Sequence, residues 1–176
     1  IISPFSHFLE IEKSVIDGQI FHALTQDDKS PVAGLIYVQG FLKFEGGTLT
    51  DGDVKLESKN FHFPSQRLSG FDLPLIPLDK LNIVATFTKP GEMEIKKFEI
   101  GKPGKQIEIN LKGKLLVSKS SFITSLINLN GTLNLSPAFM KNFSFVTLML
   151  PQGHTDGKYQ MRISGPLLNP GAPQFQ

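Results

Sequence analysis

Over much of this chain apolar side chains return at every second position, the period of a strand with one dry and one wet face. The clearest run is Gln106 to Val117. Ile107, Ile109, Leu111, Gly113, Leu115 and Val117 share one parity, and Gln106, Glu108, Asn110, Lys112 and Lys114 share the other. One wet face and one apolar face is the signature of an antiparallel sheet. Rougher runs repeat the pattern at Ile36–Phe44, Val54–Leu56, Leu81–Phe87 and Tyr159–Ile163, and a second long run spans Ile123–Leu135. Met93 and Ile95 give way to Phe98 and Ile100 on the opposite parity, which predicts a bulge or bend at Lys96–Lys97.

Turn chemistry separates these runs: Gly46-Gly47, Asp51-Gly52, Lys89-Pro90-Gly91, Lys102-Pro103-Gly104 and Asp156-Gly157. Pro64, Pro74 and Pro77 mark an irregular segment between Phe61 and Leu78. One helix is predicted. Ser136 is its N-cap, Pro137 its first position, and Phe139, Phe143, Val146 and Leu150 follow at helical spacing until Pro151 and Gly153 end it. Its apolar residues suit a plug for one end of a sheet. Before residue 40 the pattern is fainter, with strands expected at Phe5–Ile11 and Ile16–Leu24 and a loop at Asp27–Pro31.

A short phrase recurs at irregular spacing: Val38-Gln39-Gly40-Phe41-Leu42, Leu111-Lys112-Gly113-Lys114-Leu115, Leu129-Asn130-Gly131-Thr132-Leu133 and Ile163-Ser164-Gly165-Pro166-Leu167. Glycine inside a strand relieves crowding where a sheet curves or another backbone comes close. The fold class expected is therefore mainly β: long, curved antiparallel meander sheets, half-barrel or sandwich-like, with one short helix near 137–150. At 176 residues this is a single domain, 1–176.

Composition narrows the function. A net charge of +2 without a basic stripe argues against nucleic acid. The absence of Cys excludes disulfides, thiolate metal sites and a cysteine nucleophile. No run approaches the roughly 20 apolar residues of a membrane-spanning helix. The chain begins at Ile1, not Met, so the expectation is a processed or trimmed piece lacking an upstream anchor. Fifteen Phe against two Tyr and no Trp favour a core or a greasy groove over a sugar platform.

The search for chemistry is mostly negative. His7, His22, His62 and His154 are scattered without a second ligand at metal spacing, and a surface role is the plainer account of each. Asp51 and Asp53 flank a glycine, but no calcium loop follows them. There is no nucleophile elbow, phosphate loop or dinucleotide fingerprint. The expectation is a non-enzymatic protein with no cofactor, no metal and no catalytic residue. Two surfaces remain. Ile107, Ile109, Leu111, Leu115, Phe139 and Phe143 are either an ordinary core or the lining of a groove for acyl chains. Lys96, Lys97, Lys112 and Lys114 are either a solvated strand face or contacts for an anionic partner.

From Phe71 onward the order of phrases resembles the type II secretion system protein N (GspN) family. The features are Phe71-Asp72-Leu73-Pro74-Leu75-Ile76-Pro77, then Gly91-Glu92-Met93-Glu94-Ile95-Lys96-Lys97-Phe98, then the strand ending Leu111-Lys112-Gly113-Lys114-Leu115. The Leu-Asn-rich strand Leu126–Leu135, a helix, and Ile163-Ser164-Gly165-Pro166-Leu167-Leu168-Asn169-Pro170 complete it. The closing phrase is also similar to strand ends of AsmA-like envelope proteins, which are long curved sheets with greasy interiors. The resemblance implies a periplasmic accessory component of the secretion machinery, held at the inner membrane by a segment outside this chain. It implies partners among the inner-membrane platform proteins. The alternative is an AsmA-like module that binds or handles phospholipid.

Overall fold

Alternation along the chain becomes one nine-stranded antiparallel sheet in the computed structural model, which describes residues 6–17, 32–68, 71–120, 124–144, 150–151, 156–167 and 170–175. The strands are β1 (Ser6–Asp17), β2 (Leu35–Glu45), β3 (Thr48–Ser58), β8 (Leu81–Lys89), β9 (Glu92–Gly101), β10 (Ile107–Leu116), β11 (Leu126–Leu135), β12 (Lys158–Pro166) and β13 (Gln174–Phe175). They lie side by side in that order, a meander with a single excursion between β3 and β8. The two outermost strands do not pair with each other, so the sheet stays open.

The excursion is the proline-marked segment. It folds as a nested flap: β4 (His62–Phe63) pairs with β7 (Ile76–Pro77), and β5 (Gln66–Leu68) with β6 (Phe71–Leu73). Reciprocal bonds at 2.9 and 3.0 Å between Ala33 and His62 tie the flap to the chain entering β2. The helix α1 covers Pro137–Asn142, with the Ser136 hydroxyl accepting from the Phe139 N–H at 3.1 Å and Pro137 in the first turn, as the cap sequence predicts. Phe143 interrupts the helical geometry, Ser144 is helical again, and the rest of the predicted helix, residues 145–149, lies outside the described residues.

The apolar face is filled in two ways. At one end Ile36, Val38, Leu81, Ile107, Leu135 and Tyr159 pack beneath Phe61, Ile76 and Leu78 of the flap and Phe139 of α1. At the other end the buried cluster is Leu49, Ala85, Met93, Ile95, Leu111, Leu115, Leu129 and Met161, drawn from six strands and, among the described residues, from neither flap nor helix. One face of a flat sheet cannot bury itself. These side chains shield one another because the sheet curls around them, which decides for a half-barrel over a sandwich.

The curl needs the recurring glycines. A Cβ on Gly40 would overlap the Asp53 carbonyl of the neighbouring strand, and one on Gly131 would overlap the carbonyl of Asn110. The bulge expected at Lys96–Lys97 is present: Leu111 pairs with Phe98 but Gly113 with Ile95, leaving both lysines opposite Lys112.

Local expectations fare differently. Among the described residues the N-terminal region holds β1, continuous from Ser6 to Asp17 with a register break between Ile11 and Ser14; residues 18–24 of the second expected strand and the loop expected at Asp27–Pro31 lie outside the described residues. Asp51-Gly52 is not a turn but part of β3. The hairpin is closed by Gly46-Gly47, both at positive φ (55° and 73°), and the extra residue is absorbed as a register shift beside Phe44. The Asp51 carboxylate then accepts the Gly52 N–H at 2.8 Å within the strand.

Candidate functional site

The six residues proposed to line a groove all reach the interior of the curl. Ile107 and Phe139 are buried at the flap end, with Phe143 and Ile109 packed on them. Leu111 and Leu115 are buried at the other end. The Phe139 and Phe143 rings lie 4.6 Å apart and tilted, so the helix end packs on itself as well as on the sheet. These positions are part of a filled core.

Lys96, Lys97, Lys112 and Lys114 stand exposed on the opposite, outer face, where the β9 bulge gathers them. Two are engaged with acids: Lys114 Nζ lies 3.0 Å from Glu92 Oε1 and Lys97 Nζ 3.6 Å from Glu99 Oε1. Lys96 and Lys112 make no ion pair among the described residues. Glu92 also faces Lys89 at 3.4 Å. The hydrogen bond from Lys114 holds its carboxyl below the usual carboxylate range, against an opposing push from desolvation. The face is a lattice of ion pairs beside which Lys96 and Lys112 stand uncommitted.

A further row runs across the outer face, invisible in any one strand. Tyr37, Glu57, Asn82 and Glu99 are successive register partners on β2, β3, β8 and β9. Lys80 donates to Glu99 Oε2 at 2.6 Å and Asn82 Nδ2 reaches the same oxygen at 3.3 Å. The Lys80 hydrogen bond is the main reason the Glu99 carboxyl sits below its ordinary value of 4.5; partial desolvation opposes it, and Lys97 and Asn82 add to it. A depressed folded-state value means this carboxylate stabilises the fold above about pH 4.5 and loses that contribution as pH falls through the lower folded value. Glu99→Gln is therefore expected to flatten the stability profile below that pH. Chemical denaturation at a series of pH values checks it, and an unchanged acid limb would remove Glu99 from the account.

The row could not be read from sequence because it depends on the register of four strands. The one available signal is that Asn82 and Glu99 occupy outward positions beside apolar neighbours.

His62 Nδ1 lies 2.9 Å from the Asn60 carbonyl, and His22 and His154 fall outside the described residues. Asp53 accepts the Thr86 hydroxyl at 3.1 Å. No three metal-ligating side chains converge among the described residues.

The last surface is the free edge. β1 spans twelve residues, nearly all exposed, and no strand pairs with its outer side among the described residues. Phe8, Leu9 and Val15 on it are 62, 51 and 55 % exposed. Phe8 stacks on the outer-face Phe41 with ring centroids 5.9 Å apart. Compared with family models, curated proteins and solved structures, the chain matches none.

Proposed function

We propose that this domain is a non-enzymatic, periplasmic accessory component of the type II protein secretion machinery and that it works by strand addition at β1. The observation that carries the reading is an edge about 40 Å long, set against an interior that fills itself. An unpaired edge offers a row of N–H and C=O groups to an incoming strand, and natural sheets blunt such edges when nothing is to bind there. On either side of its register break and charged centre (Glu10, Glu12, Lys13), this one displays three large apolar side chains. The resemblance stated above supplies the setting, with the inner-membrane platform proteins as partners and the inner membrane as the site of anchoring.

A lysine at Leu9 or Val15 blunts the edge without touching the core. The double variant Leu9→Lys/Val15→Lys, in the full-length protein, is expected to keep its thermal midpoint and lower association with the platform by at least about tenfold. Photo-crosslinking from position 8 in intact envelopes reports the contact. Undiminished secretion and crosslinking in the variant would sink the strand-addition reading.

A second reading, an AsmA-like phospholipid module, has one observation behind it. Leu42, Phe44, Phe87, Val117 and Ile127 are only half-buried at the end of the curl away from the flap. Native mass spectrometry of protein taken from its own envelope separates the two readings. Stoichiometric phospholipid favours the module, and a lipid-free protein favours the edge.

A further inference from the structure

A depression of about 680 Å³ opens on the outer face where β1, β2, β3 and β8 meet the start of the flap, a size that suits a small ligand. Five lysines line it against two acids, Glu57 and Asp79. Lys55 is held by Glu57 at 3.0 Å and Lys80 by Glu99 at 2.6 Å. Lys13, Lys59 and Lys102 make no ion pair among the described residues, so the depression carries three uncommitted cations.

Asn82 stands in its wall and is about nine-tenths buried. Its Nδ2 is used on Glu99, while its buried Oδ1 accepts no hydrogen bond. The amide cannot simply be turned over, because that would set its oxygen against the Glu99 carboxylate. A buried acceptor left idle beside a cationic depression costs stability unless something brings it an O–H or N–H. Tyr37, one of only two tyrosines in the chain, lies in the same wall with 40 % of its surface exposed.

From this combination we propose that the depression binds an anionic saccharide, a sugar ring carrying a carboxylate or phosphate. The three free lysines take the acid group. Ring hydroxyls supply donors to the Glu57 and Asp79 carboxylates and, once the Asn82 side chain shifts to bring its buried Oδ1 to the depression, to that oxygen; the ring's C–H face lies on Tyr37. A bare phosphate fits poorly. It meets two carboxylates and leaves the Asn82 oxygen unsatisfied. A neutral sugar leaves the lysines unused. This site lies on the face opposite the curl and is independent of the strand-addition reading.

The test is titration of the ¹⁵N-labelled full chain, followed by NMR, with trigalacturonate and with glucose 6-phosphate; glucose and inorganic phosphate are the comparison probes. Both acidic sugars are expected to shift the amides of Tyr37, Lys55, Lys59 and Asn82. Glucose and phosphate should bind at least about tenfold more weakly. Asn82→Ala should weaken the acidic sugars by a similar factor and leave phosphate unaffected. If Asn82→Ala fails to fold, the exposed pair Lys59→Ala/Lys102→Ala carries the test, again with about a tenfold loss expected. Phosphate binding as tightly as the sugar acids would mean an adventitious ion only. That result, or no shift with any probe, overturns the proposal.

Discussion

Alanine at Gly131 is expected to cost about 3 kcal/mol or more, enough to leave much of the protein unfolded under mild conditions. Gly131 lies in the middle of β11, facing the interior between Leu111 of β10 and Met161 of β12. Its added Cβ would overlap the carbonyl oxygen of Asn110 in the adjoining strand. That oxygen belongs to backbone, so no side chain can swing away. Relief requires β10 and β11 to move apart, which breaks ladder hydrogen bonds and flattens the curl that closes over Leu111 and Leu129. Gly104 is the control. It has φ of 74° but nothing within 4 Å of its would-be Cβ, so Gly104→Ala pays only for backbone strain, about 1 kcal/mol. Urea midpoints of the two variants decide the matter. Equal losses would mean that close strand approach plays no part in shaping this sheet.

The glycines also show what the sequence could convey. Alternation at Ile107–Leu115 fixes which side chains share a face, because the two-residue period is local. The parity change after Ile95 locates the bulge for the same reason, and Ser136-Pro137 locates the helix start. Asp51-Gly52 misleads because two glycines a few residues upstream reach positive φ more cheaply and take the turn. Long-range facts are of a different kind. Whether Leu111 is covered by helix, ligand or the opposite limb of its own sheet depends on curvature summed over many strands. No single strand encodes it. The row Tyr37–Glu57–Asn82–Glu99 is hidden likewise, since a one-residue slip at any of three interfaces dissolves it. The apolar half of the candidate site was thus legible as a face but not as a filled interior, and the depression around Asn82 was not legible at all.

Leu111→Ala is expected to lose between about 2 and 5 kcal/mol, while Leu116→Ala, five residues along the same strand, should change stability by less than about 0.5 kcal/mol. Leu111 is 2 % exposed, with Gly131 and Phe98 as its register neighbours, and it sits in a cluster to which six strands contribute. Among the described residues no adjacent layer covers this cluster to settle into a vacated volume, because the packing is strand against strand around a common interior. The truncation should therefore fall toward the upper part of its range. Leu116 points outward at 46 % exposure and loses only surface contact. Aspartate at Leu111 makes a sharper test. In a filled interior its charge has neither water nor a cation, so Leu111→Asp should fail to fold, and circular dichroism with a denaturant titration reports that directly. If the face were instead an open groove, the carboxylate would stay hydrated. A folded Leu111→Asp variant that has merely lost bound lipid would then overturn the filled interior and, with it, the argument that this protein works from its edge.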